Sequence, residues 1–203
     1  MKHEMEEKYQ STEHGIELKE LHEFIRQHGE TVSYDKGERL ECEGEPARWW
    51  AFVEEGYFKY TVRGGSDDRE HIAWFSLKGE FVGAYPDLLD GSKALTSIEA
   101  MTPCRVVRIS GEQLERFFSQ SKETERLGRH VTALMLKQFQ RRSIILLTAT
   151  PLERYKQLVK RCPGIINELP LGALASYLGI SQKTLSLVRR EFVGGKSYPP
   201  HFT

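Results

Sequence analysis

The spacing of apolar positions changes period several times along the chain. Residues 16–28, IELKELHEFIRQH, place Ile16, Leu18, Leu21, Phe24 and Ile25 at helical intervals and predict an amphipathic helix. From 31 to 110 the pattern becomes one of short apolar or aromatic runs. Strands are predicted at 49–53, 57–62, 71–75, 97–100 and 105–109, with Gly37, Gly44, Gly56, Gly64, Gly65, Gly79 and Gly91 at the turns between them. Many short strands at this spacing indicate a sandwich or small barrel. The helical period returns over about 112–149. A short helix at 112–118 precedes a long one carrying Leu127, Val131, Leu134, Met135, Phe139, Ile145 and Leu146. That apolar content exceeds what one side of a helix on a single small domain needs. It is read as a dimer seam as well as a packing face, and the two readings can hold on different faces.

Thr150-Pro151-Leu152-Glu153 has the form of a capping box with proline at the first helical position, so one helix ends there and another begins. Residues 148–151 are therefore a candidate hinge. The new helix runs to about Arg161 and stops at Cys162-Pro163-Gly164. After Leu169-Pro170 comes LGALASYLGISQKTLSLVRR, which fits a helix–turn–helix at nearly every constrained position. Leu174, Leu178, Ile180, Leu185 and Val188 supply the apolar positions. Ala175 falls where two helices approach closely, Gly179 where the turn needs positive φ, and Ser181 where an N-cap accepts from the amide of Lys183 or Thr184. Gln182, Lys183, Ser186, Leu187 and Arg190 are left facing outward. In DNA-binding proteins of this type the second helix enters the major groove. The alternative is a helical hairpin that only packs.

Charge distribution favours DNA. The chain as a whole is neutral, with 29 basic and 29 acidic residues, but the two signs are segregated. Residues 1–120 hold 15 Lys and Arg against 24 Asp and Glu, and residues 121–203 hold 14 against 5. This asymmetry separates a basic, phosphate-seeking module from an acidic domain. Arg154, Lys156, Lys160, Arg161, Lys183, Arg189, Arg190 and Lys196 are candidates for phosphate contact, against the simpler reading of each as a solvated surface charge.

Other classes are weaker. No apolar run approaches the roughly 20 residues that span a bilayer, and MKHEMEEKYQ lacks the apolar core of a secretory signal. Cys42, Cys104 and Cys162 are far apart without metal-ligand spacing, so a reduced, cytoplasmic setting with small buried thiols is expected. A metal oxygenase on a small barrel needs clustered His and carboxylates. His71 is the lone histidine of the strand segment, and Asp87 with Asp90 reads as turn chemistry. No nucleophile elbow, Walker loop or Cys/His pair is present, and no catalytic residue, metal or cofactor is expected.

Taken in order, a glycine-punctuated roll, a long helix, a capped joint and a C-terminal helix–turn–helix resemble the Crp/Fnr family of bacterial transcription regulators. The likeness runs from residue 16 to 192 and includes Phe81-Val82-Gly83; LASYLGISQKTLSLVRR is most similar to a subgroup from Bacteroidetes-type bacteria. It implies an α+β fold with four parts: a poorly ordered N-terminus over 1–15, an antiparallel β-roll or jelly-roll sensor domain over 16–120, a dimerisation helix over 121–149, and a small DNA-binding domain over 150–203. The seam would use Leu127, Val131, Leu134, Met135 and Phe139. The implied partners are double-stranded DNA with a pseudo-palindromic operator, a second copy of the chain, RNA polymerase, and an unidentified small effector. DNA contacts are expected from Ser181, Gln182, Lys183, Thr184, Ser186, Leu187, Arg189 and Arg190.

Departures from the family pattern bear on the ligand. Members that bind cyclic AMP follow Phe-x-Gly with a Glu for the ribose and, ten residues later, an Arg for the phosphate; here those positions are Ala84 and Ala94. Without the cationic fork a buried phosphate loses its bidentate contact, so cyclic AMP is not expected to bind in the family's manner. Phe139 stands where an adenine-contacting Thr would fall, and Glu80 and Lys93 are read as turn residues. A different effector could lie among Phe81, Gly83, Ala84, Tyr85, Leu89, Ala94, Leu95 and Phe139, or the roll could be a filled core. Three scattered cysteines cannot hold the four-cysteine cluster of the oxygen-sensing branch. The base-reading positions fall on Gln182, Lys183 and Leu187, the last of which cannot hydrogen-bond. Beyond Phe192 only VGGKSYPPHFT remains, so the β-hairpin wing is short or absent. Two alternatives remain: a roll-based interaction or ligand-binding module without DNA affinity, and a cupin-like metalloenzyme.

Overall fold

A computed structural model of the chain describes residues 18–64 and 69–194. The expectations for residues 1–15, Ile16, Gly65, Lys196 and the rest of the tail after Gly194 lie outside these residues. The chain divides into two compact units, one reaching Leu134 and the other starting at Met135. The division falls within the long helix.

The first unit begins with helix α1 (Lys19–His28). Its strands are β1 (Glu30–Tyr34), β2 (Arg39–Glu41), β3 (Trp49–Glu55), β4 (Tyr57–Gly64), β5 (Arg69–Leu77), β6 (Phe81–Gly83), β7 (Ser97–Ala100) and β8 (Cys104–Ser110). A short helix, α2 (Tyr85–Asp90), separates β6 from β7, and α3 (Gly111–Phe118) and the start of α4 (Lys122–Thr148) follow β8. The strands form two antiparallel sheets in the orders β1-β8-β3-β6 and β2-β7-β4-β5. This is an α+β protein with a jelly-roll-like body. The five strands expected from the sequence are all present, and β1, β2 and β6 are additional.

Alternation along β3 explains the layering. Ala51 and Val53 point into an interior cluster with Tyr34, Leu40, Phe58, Val82, Ile98 and Val106. Trp50 and Phe52 point the other way: Trp50 stacks on Phe81 with ring centroids 4.6 Å apart, and Phe52 meets His22 at 4.0 Å. The outer face of the first sheet is thereby covered by helices. α1 contributes the fully buried Leu21 and Ile25, four residues apart. Phe24 stacks on Phe117 of α3 at 4.4 Å. Each such fully buried aliphatic side chain is worth roughly 1.5–3 kcal/mol. α3 opens with a capping box in which Ser110 Oγ accepts from Gln113 N and Gln113 Oε1 accepts from Ser110 N.

The second unit contains the distal part of α4 and helices α5 (Pro151–Arg161), α6 (Ile165–Glu168), α7 (Leu171–Leu178) and α8 (Gln182–Gly194). The expected capping box is formed: Thr150 Oγ1 accepts from Glu153 N at 3.3 Å, and Glu153 Oε2 accepts from Thr150 N at 2.8 Å. α5 ends at Cys162, whose amide still donates to the Leu158 carbonyl. The core is built from Tyr155, Leu158, Ile165, Leu169, Leu174, Leu178, Leu185 and Val188, all buried. Of the three free cysteines only Cys104 is buried; Cys42 and Cys162 are half-buried, because each flanks a turn rather than lying within a core strand or helix. Among the described residues no helix is long and apolar enough to cross a membrane.

Candidate nucleic-acid interface

The α7–α8 corner is built by local chemistry. Gly179 takes φ +65° and ψ +38°, and the Ile180 amide reaches back to the Ala175 carbonyl at 3.0 Å. A Cβ at position 179 would also stand 3.3 Å from Arg154 Nη1, so the left-handed conformation favours glycine and a side chain there would crowd that guanidinium. Ser181 Oγ accepts from Thr184 N at 3.0 Å and lies 2.8 Å from Thr184 Oγ1, which commits both hydroxyls to the cap. Leu174, Ala175, Leu178, Leu185 and Val188 close the corner, while Ile180 is half-buried.

On α8, Gln182, Lys183, Ser186 and Arg190 are exposed, and Thr184 and Leu187 are half-buried. Ser186 Oγ donates to the Gln182 carbonyl. Arg189 is turned away from this group, its Nη2 donating to the Ile166 carbonyl at 2.8 Å. Three further arginines serve the fold. Arg154 spends Nε on Ala149 O, Nη1 on Leu178 O and Nη2 on Leu146 O, at 2.9, 2.9 and 2.8 Å. Arg142 lies over the Tyr177 ring at 3.8 Å and donates to the Tyr177 carbonyl; burial lowers its pKa, with Arg154 and Arg161 adding to the fall. Arg161 Nη1 lies 3.4 Å from Tyr177 Oη. Arg154 and Arg142 thus pair with carbonyls at or just past the C-terminal ends of α4 and α7, where a cation is favoured. The exposed cations include Lys156 and Lys160 on α5 and Lys183 and Arg190 on α8. Residues 135–194 carry ten Lys and Arg against three Glu, so the second unit stays basic even with four arginines turned inward.

Of the residues read as an effector pocket, the seven in the first unit have different surroundings, since neighbouring positions along β6 face opposite sides. Ala84 and Ala94 join the interior cluster with Val82, at 6% and 2% exposure. Phe81 is outside against Trp50. Gly83 N donates to Tyr60 Oη at 3.1 Å, Tyr60 Oη lies 3.1 Å from Ser76 Oγ, and Ser76 Oγ donates to the Phe81 carbonyl at 2.8 Å. Tyr85 is buried, its hydroxyl 3.4 Å from Gly128 O and 3.2 Å from Thr132 Oγ1; burial pushes its pKa up. Leu89 and Leu95 are 44% and 73% exposed, and Phe139, in the second unit, is 46% exposed. Asp87, Asp90 and Glu80 accept from Leu95 N, Ser92 N and Leu77 N, all turn contacts. Among the described residues no Lys or Arg is buried, and the buried carboxylates are Glu41 and Glu80. Among the same residues no three His, Cys, Asp or Glu side chains group as a metal site.

The seam residues also divide. Leu127 and Val131 are buried within the first unit, Leu134 and Met135 are half-buried, and Phe139 is exposed. Leu136, Ile144 and Leu147 are exposed as well, at 59%, 58% and 85%. Sequence reasoning missed these three. Their signal is a recurrence at steps of three, five and three residues, which at 100° per residue keeps them with Phe139 on a face that the Leu127 and Val131 stripe does not share.

Comparison with known proteins agrees with this architecture. Residues 31–121 match the cyclic nucleotide-binding domain family. No curated protein matches the chain in sequence. Among solved structures, FixK2 from Bradyrhizobium japonicum is 21% identical with a TM-score of 0.71, covering 86% of this chain and 89% of its own. A Crp/Fnr-family transcriptional regulator from Eubacterium rectale is 13% identical, with a TM-score of 0.64 and coverage of 87% and 85%. The catabolite activator protein of Thermus thermophilus is 15% identical, with a TM-score of 0.54 and coverage of 92% and 89%. The match over residues 31–121 and these structures together show that the chain shares the fold of solved Crp/Fnr-type regulators.

Proposed function

We propose that this protein is a sequence-specific, DNA-binding transcription regulator that acts as a homodimer and has no catalytic role. The observation that carries the reading is α8: a capped helix presenting Gln182, Lys183, Ser186 and Arg190 from a basic unit, behind a glycine turn that fixes its direction. The apolar stripe of Leu136, Phe139, Ile144 and Leu147 supports pairing with a second copy. A symmetric pair would read half-sites roughly 34 Å apart. Lys156 and Lys160 serve as phosphate contacts, and Ser181 and Thr184 hold the helix start that delivers Gln182 and Lys183. Leu187 offers a methyl-sized apolar contact, suited to thymine. The roll does not take cyclic AMP; its input is carried, if anywhere, by a less polar effector. Selection of bound sequences from a random duplex pool tests the reading. Enrichment of an inverted repeat supports it, and absence of duplex binding even at low ionic strength overturns it.

A further inference from the structure

Glycine at position 172 has no backbone reason to be there. It is the second residue of α7, in the helix's first turn, and it is not among the glycines with positive φ. Glycine is the poorest helix former after proline, so the position gives up helical stability. What it provides is space. A Cβ at 172 would stand 3.1 Å from Gln182 Nε2 and 3.8 Å from Gln182 Cδ, and nothing else would lie within 4 Å beyond the helix's own backbone and chain neighbours. The Gln182 carboxamide therefore rests across the first turn of α7, in the gap a side chain would fill. Other helical glycines differ: Gly111 and Gly128 make room for the apolar side chains Leu88 and Phe118.

We infer that Gly172 is a positioning residue for base recognition: it sets where Gln182 presents its amide, and so the base preference at one position of each half-site. The inference rests on the DNA-binding reading above. A Gln amide reads adenine only when its oxygen and nitrogen align together with N6 and N7. Tolerances for such constellations are about 0.5 Å. At 3.1 Å an added methyl displaces the amide by a few tenths of an ångström or turns it to another rotamer.

The test compares full-length wild type, Gly172→Ala, Gln182→Ala and the double variant. The measurements are thermal unfolding, affinity for a non-specific duplex across a salt series, and affinity for the selected site with each base pair substituted in turn. Gly172→Ala is expected to leave Tm equal or raised and non-specific affinity and salt slope unchanged. Its discrimination at a single base pair per half-site should fall roughly fivefold or more. Gln182→Ala should lose discrimination at the same base pair, and adding Gly172→Ala to it should change nothing further. Unchanged preference in Gly172→Ala, or a loss that persists in the Gln182→Ala background, overturns the inference while leaving the DNA-binding reading intact. Failure of the wild type to bind duplex overturns both.

Discussion

Arg154 holds the end of α7 from the start of α5: its Nη1 donates to the Leu178 carbonyl at 2.9 Å, one residue before the glycine turn. The same guanidinium takes Leu146 O in the last turn of α4 and Ala149 O just past it. One side chain thus ties three helix segments of the second unit together across Thr150, the joint the capping box marks. A cation that charge counting assigns to phosphate is committed to the fold.

Removing that clamp leaves three carbonyls unpaired. Arg154→Ala is expected to destabilise the second unit by roughly 2–4 kcal/mol, measured by denaturant unfolding. Arg154→Lys should recover only part, because a point ammonium cannot span three acceptors. The salt slope of DNA binding by whatever fraction stays folded should be unchanged. A slope reduced by about 1, with stability intact, would return Arg154 to the phosphate contacts.

The interior of the roll makes a second expectation. Cyclic AMP at a millimolar level should leave Tm unmoved, since Gly83 N is already engaged by Tyr60 and no buried cation faces Ala84. Ala94→Arg, restoring the family's cation alone, should cost about 3–5 kcal/mol by burying an unpaired charge at a 2% exposed position. Tyr60→Phe should cost about 1 kcal/mol by leaving the Gly83 amide without its acceptor. A rise of several degrees in Tm with cyclic AMP would refute this account.

Glu41 gives a pH dependence with a definite sign. Its Oε1 accepts from Arg48 N at 2.9 Å and Trp49 N at 2.6 Å, and burial raises its pKa against the opposing pull of those two amides. The folded chain therefore binds this proton more tightly than the unfolded chain. That contribution is complete below the unfolded pKa and is lost as pH rises through the raised folded one. Glu41→Gln keeps an oxygen acceptor and has no charge to bury. Its stability relative to wild type is expected to improve between about pH 5 and pH 8, in parallel thermal melts. Glu41→Ala should cost roughly 2–3 kcal/mol near pH 5, since two amides lose their acceptor, and less near pH 8, where the wild type has lost the proton-linked contribution.

What the chain disclosed before folding depended on how local each cause was. The Thr150 capping box, Gly179 and Ser181 are decided within four residues, and each is where the sequence puts it. The strands 97–100 and 105–109 announce themselves by β-branched and apolar residues. Glu30–Tyr34 does not: it is polar, exposed at three of five positions, and exists because β8 pairs with it in register. Arg154, Arg142 and Tyr60 are hidden for the same reason. Their partners lie 24, 35 and 23 residues away, and charge or polarity alone cannot say which way a side chain turns. Period-2 alternation across β6 sends Phe81 and Val82 to opposite faces, which nearness along the chain does not disclose.

The α4 stripe separates pairing from folding. Phe139→Asp or Leu147→Glu changes an exposed position, so the fold should persist while sedimentation shows a shift from dimer toward monomer. Leu127→Ala, at 3% exposure, should instead cost about 2–5 kcal/mol of stability in the first unit and leave association of the folded protein alone. A dimer unaffected by both exposed substitutions would place the seam elsewhere.

The two kinds of cation on the second unit should act on DNA in different ways. Lys183 is exposed at the second position of α8, where a side chain reaches base edges; it can donate to guanine O6 or N7. Lys183→Ala is expected to cost roughly 1–3 kcal/mol on the selected site, concentrated at one base pair of each half-site, with little loss on random duplex. Lys160 is exposed on α5, away from the recognition helix in sequence. Lys160→Ala should weaken all duplexes alike and lower the salt slope by about 1 for each phosphate contact removed. Titrations against the selected site and a scrambled one, each at several salt concentrations, distinguish the outcomes. If the Lys183 loss spreads evenly over every sequence, its role is phosphate contact, and base reading falls to Gln182 and Leu187. Leu187 is apolar and half-buried, so the hydrogen-bonded part of the code would then rest on Gln182 alone.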